Sequence, residues 1–257
     1  MDSIVEEVRR KRPLIHHLTN QVVMNFTANG LLSFGGTPIM AKAVEEAYDM
    51  AANADAVLLN IGTIMEQDIQ AMIQAGKAAN EKGIPVVFDP VGVAATPFRR
   101  EAVRQILGEI KPAAIKGNAG ELAYLVNIPW EIKGVDSLGT GDLEEIARKV
   151  ASDYQTIAVL TGETDVISNG EGIIKNTAGS PLLSQVTGTG CLLGSILAAC
   201  LTSGRPLLES SISAVEFYGL AAEYAQRQPD VKGTGTFIPA FLDALGLERA
   251  ELTGGRE

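Results

Sequence analysis

Gly188, Thr189, Gly190 and Cys191 close a short Gly-rich turn, residues 185–191, that runs straight into the apolar segment 192–197. Amides in the first turn of a helix have no partner inside it. They point the same way as the positive end of the helix dipole, so such a terminus attracts anions. Gly188 and Gly190 permit close backbone approaches that a Cβ would block. Cys191 stands where a helix terminus would depress a thiol pKa and favour the thiolate. Alone, the stretch reads equally well as an anion site or as an ordinary loop-to-helix junction with a structural cysteine.

A second group of polar residues follows apolar runs: Asn60 with Gly62-Thr63, Asp89-Pro90-Val91-Gly92, Lys116-Gly117-Asn118-Ala119-Gly120-Glu121 and Thr161-Gly162-Glu163-Thr164-Asp165. Any one of these could be a turn former or a cap, as Asn118 could be for the helix after it. As a set they supply the parts of phosphoryl transfer, which needs a metal on phosphate oxygens, cationic and N–H groups for developing charge, and a base for the nucleophile. Asp89 and Glu121 are hard oxygen donors suited to Mg²⁺, directly or through water. Lys116 can pair with a nucleotide phosphate as a point charge. Residue 191 stands where a hydroxyl proton must go. There is no P-loop Gly-Lys-Ser/Thr, no kinase His-Arg-Asp with Asp-Phe-Gly, and no early Gly-x-Gly-x-x-Gly.

The elements that must position these residues follow from the apolar spacing. Helices are expected over 1–12, 21–34 (closed by Gly35-Gly36), 42–53, 66–81, 98–110, 118–126 and 142–154. Strands are expected over 13–18, 54–61, 84–88, 113–115 and 156–160. Continuous apolar strands alternating with helices indicate a parallel sheet covered on both faces. Residues 166–168 and 172–174 around Asn169-Gly170 read as an antiparallel hairpin. Only helices follow, over 191–203, 207–227 and 235–246, with a polar, frayed tail from Glu251. Residues 127–141, rich in Gly and Pro, read as a loop. The expected fold is a three-layer α/β domain spanning 1–257, its mostly parallel sheet ending in an antiparallel edge hairpin. In such sheets ligands bind beyond the carboxyl ends of the strands.

Composition sets bounds. The 257 residues carry a net charge of −10 with 46% hydrophobic and 20% charged residues, which indicates a full core and argues against a nucleic-acid surface. The first ten residues have early acids and no apolar h-region, so they do not read as a signal peptide. The longest apolar run is too short to span a bilayer. Cys191 and Cys200, on one helix, would stand about 13.5 Å apart and cannot bridge, which fits a reducing, cytoplasmic compartment. His16 and His17 face opposite ways in a strand, so one buried, hydrogen-bonded histidine is expected rather than a two-histidine metal site.

Asn118-x-x-Glu121 after a strand, with Gly188-Thr189-Gly190-Cys191, resembles the Asn-x-x-Glu metal motif and anion hole of the ribokinase-like superfamily of small-molecule kinases. Residues 17–30 (HLTNQVVMNFTANG), 37–41 (TPIMA), 89–92 (DPVG) and 161–165 (TGETD) are similar to the hydroxyethylthiazole kinase family, over about residues 12–246. The resemblance implies ATP-dependent phosphorylation of the primary alcohol of 4-methyl-5-(2-hydroxyethyl)thiazole in thiamine salvage. It implies Met40 and Gly188 at the thiazole, Lys116 and Thr161 at ATP, Gly188, Thr189 and Gly190 as the anion hole, and Asp89 and Glu121 organising Mg²⁺. It also implies a homotrimer with the substrate site between subunits. At position 116 the family leads us to expect arginine; lysine keeps the charge and loses the bidentate fork. At 191 most of the superfamily carries aspartate as base, whereas this family shares the cysteine, which would position the hydroxyl and take its proton late. Other readings are a hydroxymethylpyrimidine or pyridoxal kinase, an ATP/ADP-dependent NAD(P)H-hydrate dehydratase on the same fold, and a non-catalytic nucleotide sensor.

Overall fold

A computed structural model describes residues 3–130 and 142–254. The larger part of the loop expected over 127–141 lies outside the described residues, as do the first two residues and the last three of the tail. The chain opens with α1 (Ile4–Lys11), β1 (Leu14–Leu18), α2 (Met24–Phe34), β2 (Thr37–Ile39) and α3 (Val44–Ala52). It continues through β3 (Ala56–Asn60), α4 (Glu66–Lys82), β4 (Val86–Asp89), α5 (Pro97–Glu109), β5 (Ala114–Asn118) and α6 (Ala119–Leu125). Then come α7 (Leu143–Tyr154), β6 (Ile157–Thr161), β7 (Asp165–Ser168) and β8 (Ile173–Asn176). The last elements are α8 (Thr189–Cys200), α9 (Leu207–Gln226), α10 (Thr234–Ala244) and α11 (Arg249–Leu252).

The strands form one sheet in the order β2-β1-β3-β4-β5-β6-β7-β8, parallel from β2 to β6 and antiparallel at β7 and β8. This is the expected three-layer α/β architecture with its antiparallel edge hairpin. Side-chain alternation divides the core in two. Ala56 and Leu58 pack with α8 and its neighbours, whereas Val57 and Leu59 pack with α4 and its neighbours on the other face. The order reverses at β1, which has β2 on one side and β3 on the other. Such a switch point opens a crevice at the carboxyl ends of the two central strands; here the exits of β1 and β3 carry Asn20 and Asn60.

Helix α8 lies between the sheet and the outer helices α2 and α9, so every residue from Leu192 to Cys200 is buried and its sequence is apolar all round. The chain departs from the expected boundaries where side chains compete for backbone groups. The helix expected from Gln21 starts at Met24, because Gln21 N donates to Thr63 Oγ1 (3.2 Å) and Val23 N to Asn20 Oδ1 (3.2 Å). The helix expected over 191–203 begins earlier, at Thr189, and its final three residues tighten into a 3-10 turn. A 3-10 turn over Pro181–Gln185, started by Ser180 Oγ accepting from Leu182 N, was not legible in the apolar spacing. The tail from Glu251 is not wholly frayed: α11 docks, with Leu252 buried and its carbonyl accepting from Arg227. Among the described residues no helix is long and apolar enough to cross a membrane.

Candidate active site

At the start of α8, Gly188 is the N-cap, with φ +99°, where only glycine is unstrained, and a Cβ would meet Val23 Cγ1 at 2.7 Å. The first helical hydrogen bond is Leu192 N to Gly188 O (2.9 Å), so the amides of Thr189, Gly190 and Cys191 precede the ladder. Thr189 Oγ1 donates to Leu183 O (2.7 Å), and Tyr218 on α9 donates to Thr189 O (2.6 Å), which locks the turn from behind.

Beside this turn stand two sheet residues. Lys116 belongs to β5 itself rather than lying past its end, because pairing with β6 continues through Asn118. Strand alternation therefore turns its side chain toward α8, where Nζ is buried, donating to Asp89 Oδ2 (3.0 Å) and Gly190 O (3.0 Å). Asp89 likewise ends β4 from within and is fully buried. Its Oδ2 also accepts from Asn60 Nδ2 (2.7 Å), while Oδ1 has no partner among the described residues. Burial opposes the charge on Lys116, but Asp89, Cys191 and Glu121 together offset it and hold the ammonium above its ordinary range. Burial pushes the Asp89 carboxyl up, with Lys116 opposing.

Glu121 completes a capping box with Asn118: Glu121 N donates to Asn118 Oδ1 (2.9 Å) and Asn118 N to Glu121 Oε2 (2.8 Å). Gly92 N donates to Oε1 (2.8 Å), tying the loop after β4 to α6. Burial, then the charge of Asp89, raises the Glu121 carboxyl. Asp89 is buried with an orphaned oxygen, and half-buried Glu121 is raised by the Asp89 charge, so one lysine leaves the pair of carboxylates short of positive charge. That fits a hard divalent cation held through few protein oxygens and water. No cluster of three or more His, Cys, Asp or Glu able to cage a metal occurs among the described residues.

Cys191 is partly exposed, and its sulfur accepts from Asn60 Nδ2 (3.2 Å) and Asn20 Nδ2 (3.5 Å). The expected thiol depression is corrected: burial, then the charge of Asp89, pushes the Cys191 thiol up, and Lys116 with the two asparagines only offsets part of that. Sequence placed the helix end correctly but did not show that the sulfur faces a buried carboxylate. Cys200 is fully buried one face away, and the two cysteines do not bridge.

The structure thus gathers Asp89, Lys116, Glu121, Gly190 and Cys191 at one crevice. Thr161 ends β6 next to it, with Oγ1 donating to Gly117 O (3.3 Å). Met40 follows β2 at the sheet edge, outside that hydrogen-bonded set. The expectation of a single buried histidine is also corrected. Both are buried: His16 Nε2 meets Ala41 O (2.8 Å) and His17 Nε2 meets Ser195 Oγ (2.7 Å), on opposite faces as strand geometry requires.

Asn20 and Arg99 have no site role in the sequence reading, and Asn60 stands there only among the strand-end polar groups. Asn20 and Asn60 appear in the motif-rich segment and at a strand end, but nothing in sequence joins them to residue 191. Arg99 on α5 gave no signal; its guanidinium donates to Ile61 O (2.7 Å), Gly62 O (2.6 Å) and Val91 O (2.6 Å), clamping the loops after β3 and β4 together.

Comparison with known proteins places this geometry in context. The model of the hydroxyethylthiazole kinase family matches residues 5–250. The chain is 58% identical over 253 residues to hydroxyethylthiazole kinase 1 of Oceanobacillus iheyensis, covering 98% of each chain. It superposes on the hydroxyethylthiazole kinase protein of Pyrococcus horikoshii OT3 with a TM-score of 0.88 at 35% identity, covering 98% of this chain and 95% of that one. A ribokinase-like superfamily protein from Enterococcus faecalis V583 shares the fold, with a TM-score of 0.63 at 14% identity over 95% and 90% of the two chains.

Proposed function

This chain belongs to the hydroxyethylthiazole kinase family, and on that premise we propose that it transfers the γ-phosphoryl group of ATP to the primary hydroxyl of 4-methyl-5-(2-hydroxyethyl)thiazole, a step of thiamine salvage. The observation that carries this reading is the convergence of the α8 amides, Cys191 and the Lys116–Asp89 pair at the sheet's switch point. In this reading residues 1–257 act as one kinase domain in the cytoplasm, with Met40 and Gly188 against the thiazole and Thr161 and Lys116 toward ATP.

The hydroxyl oxygen bonds to the γ-phosphorus as the bond to the ADP oxygen breaks, and the hydroxyl proton passes to Cys191 Sγ. Only the thiolate of Cys191 can take that proton. Burial and Asp89 push the thiol up, so the thiolate is the minor form and a stronger base. It accepts the proton late, when the oxygen is already bonding to phosphorus and has become acidic, leaving the neutral thiol. Charge spreading over the equatorial oxygens meets the amides of Thr189, Gly190 and Cys191, already oriented by the helix, so the protein does not reorganise during the step. Lys116 carries a buried positive charge directly beneath that turn through Gly190 O. Asp89 and Glu121 would hold Mg²⁺, which when bound neutralises phosphate charge. A homotrimer with the thiazole site between subunits completes the proposal.

Incubation with Mg-ATP and a panel of thiazole, pyrimidine, pyridoxal and hydrated nicotinamide nucleotide substrates tests the reading. Phosphorylation of the thiazole alcohol is expected. Turnover of a pyrimidine alcohol without the thiazole would sink it.

A further inference from the structure

We propose that Asn20 and Asn60 form a two-donor cradle that holds Cys191 Sγ as a hydrogen-bond acceptor, making both asparagines positioning residues for phosphoryl transfer. The purpose of the cradle rests on the kinase reading; its geometry does not. Amide orientation is normally ambiguous, but the network around these two side chains decides it. Asn20 Oδ1 accepts from Val23 N (3.2 Å), and Asn60 Oδ1 accepts from Gly62 N (3.0 Å) and Asn20 Nδ2 (2.9 Å). Flipping Asn60 would set its oxygen against Asp89 Oδ2, acceptor to acceptor, so Nδ2 must face the carboxylate (2.7 Å).

Each amide nitrogen has two hydrogens. Those of Asn60 go to Asp89 Oδ2 and Cys191 Sγ; those of Asn20 go to Asn60 Oδ1 and Cys191 Sγ. The sulfur therefore receives two N–H groups and can donate to neither. A proton on it has to point away from both asparagines, and negative charge on it is met by two donors. The cradle is held from outside as well. A Cβ at Gly62 would meet Asn20 Nδ2 at 2.6 Å and Cγ at 2.8 Å, so the loop after β3 packs directly on the Asn20 amide. One donor ends β3 and the other lies just past the end of the adjacent β1, and the acceptor comes from the helix seated over them.

The decisive measurement is the rate of iodoacetamide alkylation at Cys191, mapped by mass spectrometry, with fully buried Cys200 as an internal report on folding. Asn20→Ser withdraws the donor from Sγ without placing a charge beside it, and its hydroxyl can still accept from Val23 N; Asn60→Ser removes the second donor in the same way. Loss of a hydrogen bond to a charged sulfur should slow Cys191 alkylation about tenfold in each variant while Cys200 stays unreacted. Thiazole kcat should fall with the KM for Mg-ATP unchanged. If the asparagines merely tie loops together, removing them exposes Cys191 and its alkylation is unchanged or faster in both variants, which overturns the proposal. Slower alkylation in a protein that phosphorylates no thiazole would support the cradle and refute the kinase reading separately.

Discussion

At the scale of single residues, the site depends on how buried charge is matched. Cys191→Ala removes the proposed proton acceptor, and thiazole turnover should fall by about 10- to 100-fold in a steady-state assay. Cys191→Asp should keep or raise turnover, since a carboxylate can accept from the same two asparagines; an alanine variant as fast as the parent would remove Cys191 from the proton path. His17 makes a prediction at the level of stability. Burial lowers it from its ordinary 6.5 to about 4, and it is wedged between Ile15 O and Ser195 Oγ. The unfolded chain takes up this proton first, so stability is fully present above the ordinary value. It is lost as pH falls toward the folded one, by about 3 kcal/mol across that window. Urea midpoints at about pH 7 and about pH 4 should converge when His17→Gln is compared with the parent. An unchanged gap would assign the acid lability elsewhere.

At the scale of elements, the loops matter more than the strands they extend. Arg99 satisfies three carbonyls of two loops from the N-terminal turn of α5, so Arg99→Ala leaves those groups without their donor and should cost about 3 kcal/mol in urea unfolding. Arg99→Lys should recover only part of this, because an ammonium cannot reproduce the planar fork. Full recovery would mean that charge rather than geometry holds the loops. At the start of α8, Gly188→Ala meets two obstacles, a left-handed backbone and Val23, and should destabilise by about 2 kcal/mol or more. The same change tilts the amides of the turn, so the KM for Mg-ATP should rise in parallel; an unchanged KM would place the anion elsewhere.

At the scale of the whole molecule, the described chain leaves Val22 (68%) and Met65 (46%) exposed, on segments joined by Gln21 N to Thr63 Oγ1. Large apolar side chains beside a site are what an interface between copies would cover. Light scattering should give three times the chain mass, and activity per chain should fall on dilution if the site lies between subunits; a monomer of full activity would refute that assembly. Layering, strand direction and the edge hairpin were legible in sequence, because an apolar run buried on both faces and an Asn-Gly turn have few alternative packings. The strand-end clusters around Asp89 and Lys116 and the turn at 188–191 were legible too, because glycines, acids and a lysine recur where parallel strands stop. Sequence could not reveal that Lys116 lies inside its strand and is neutralised by Asp89, or that Asn20 and Asn60 meet at the sulfur of residue 191. Local pattern specifies which face a residue takes, but partners more than a hundred residues apart are chosen only when β1, β3 and α8 pack together. That packing also draws Cys191 partly out of water and sets it near a buried carboxylate, so its thiol is raised where the helix terminus alone would have lowered it.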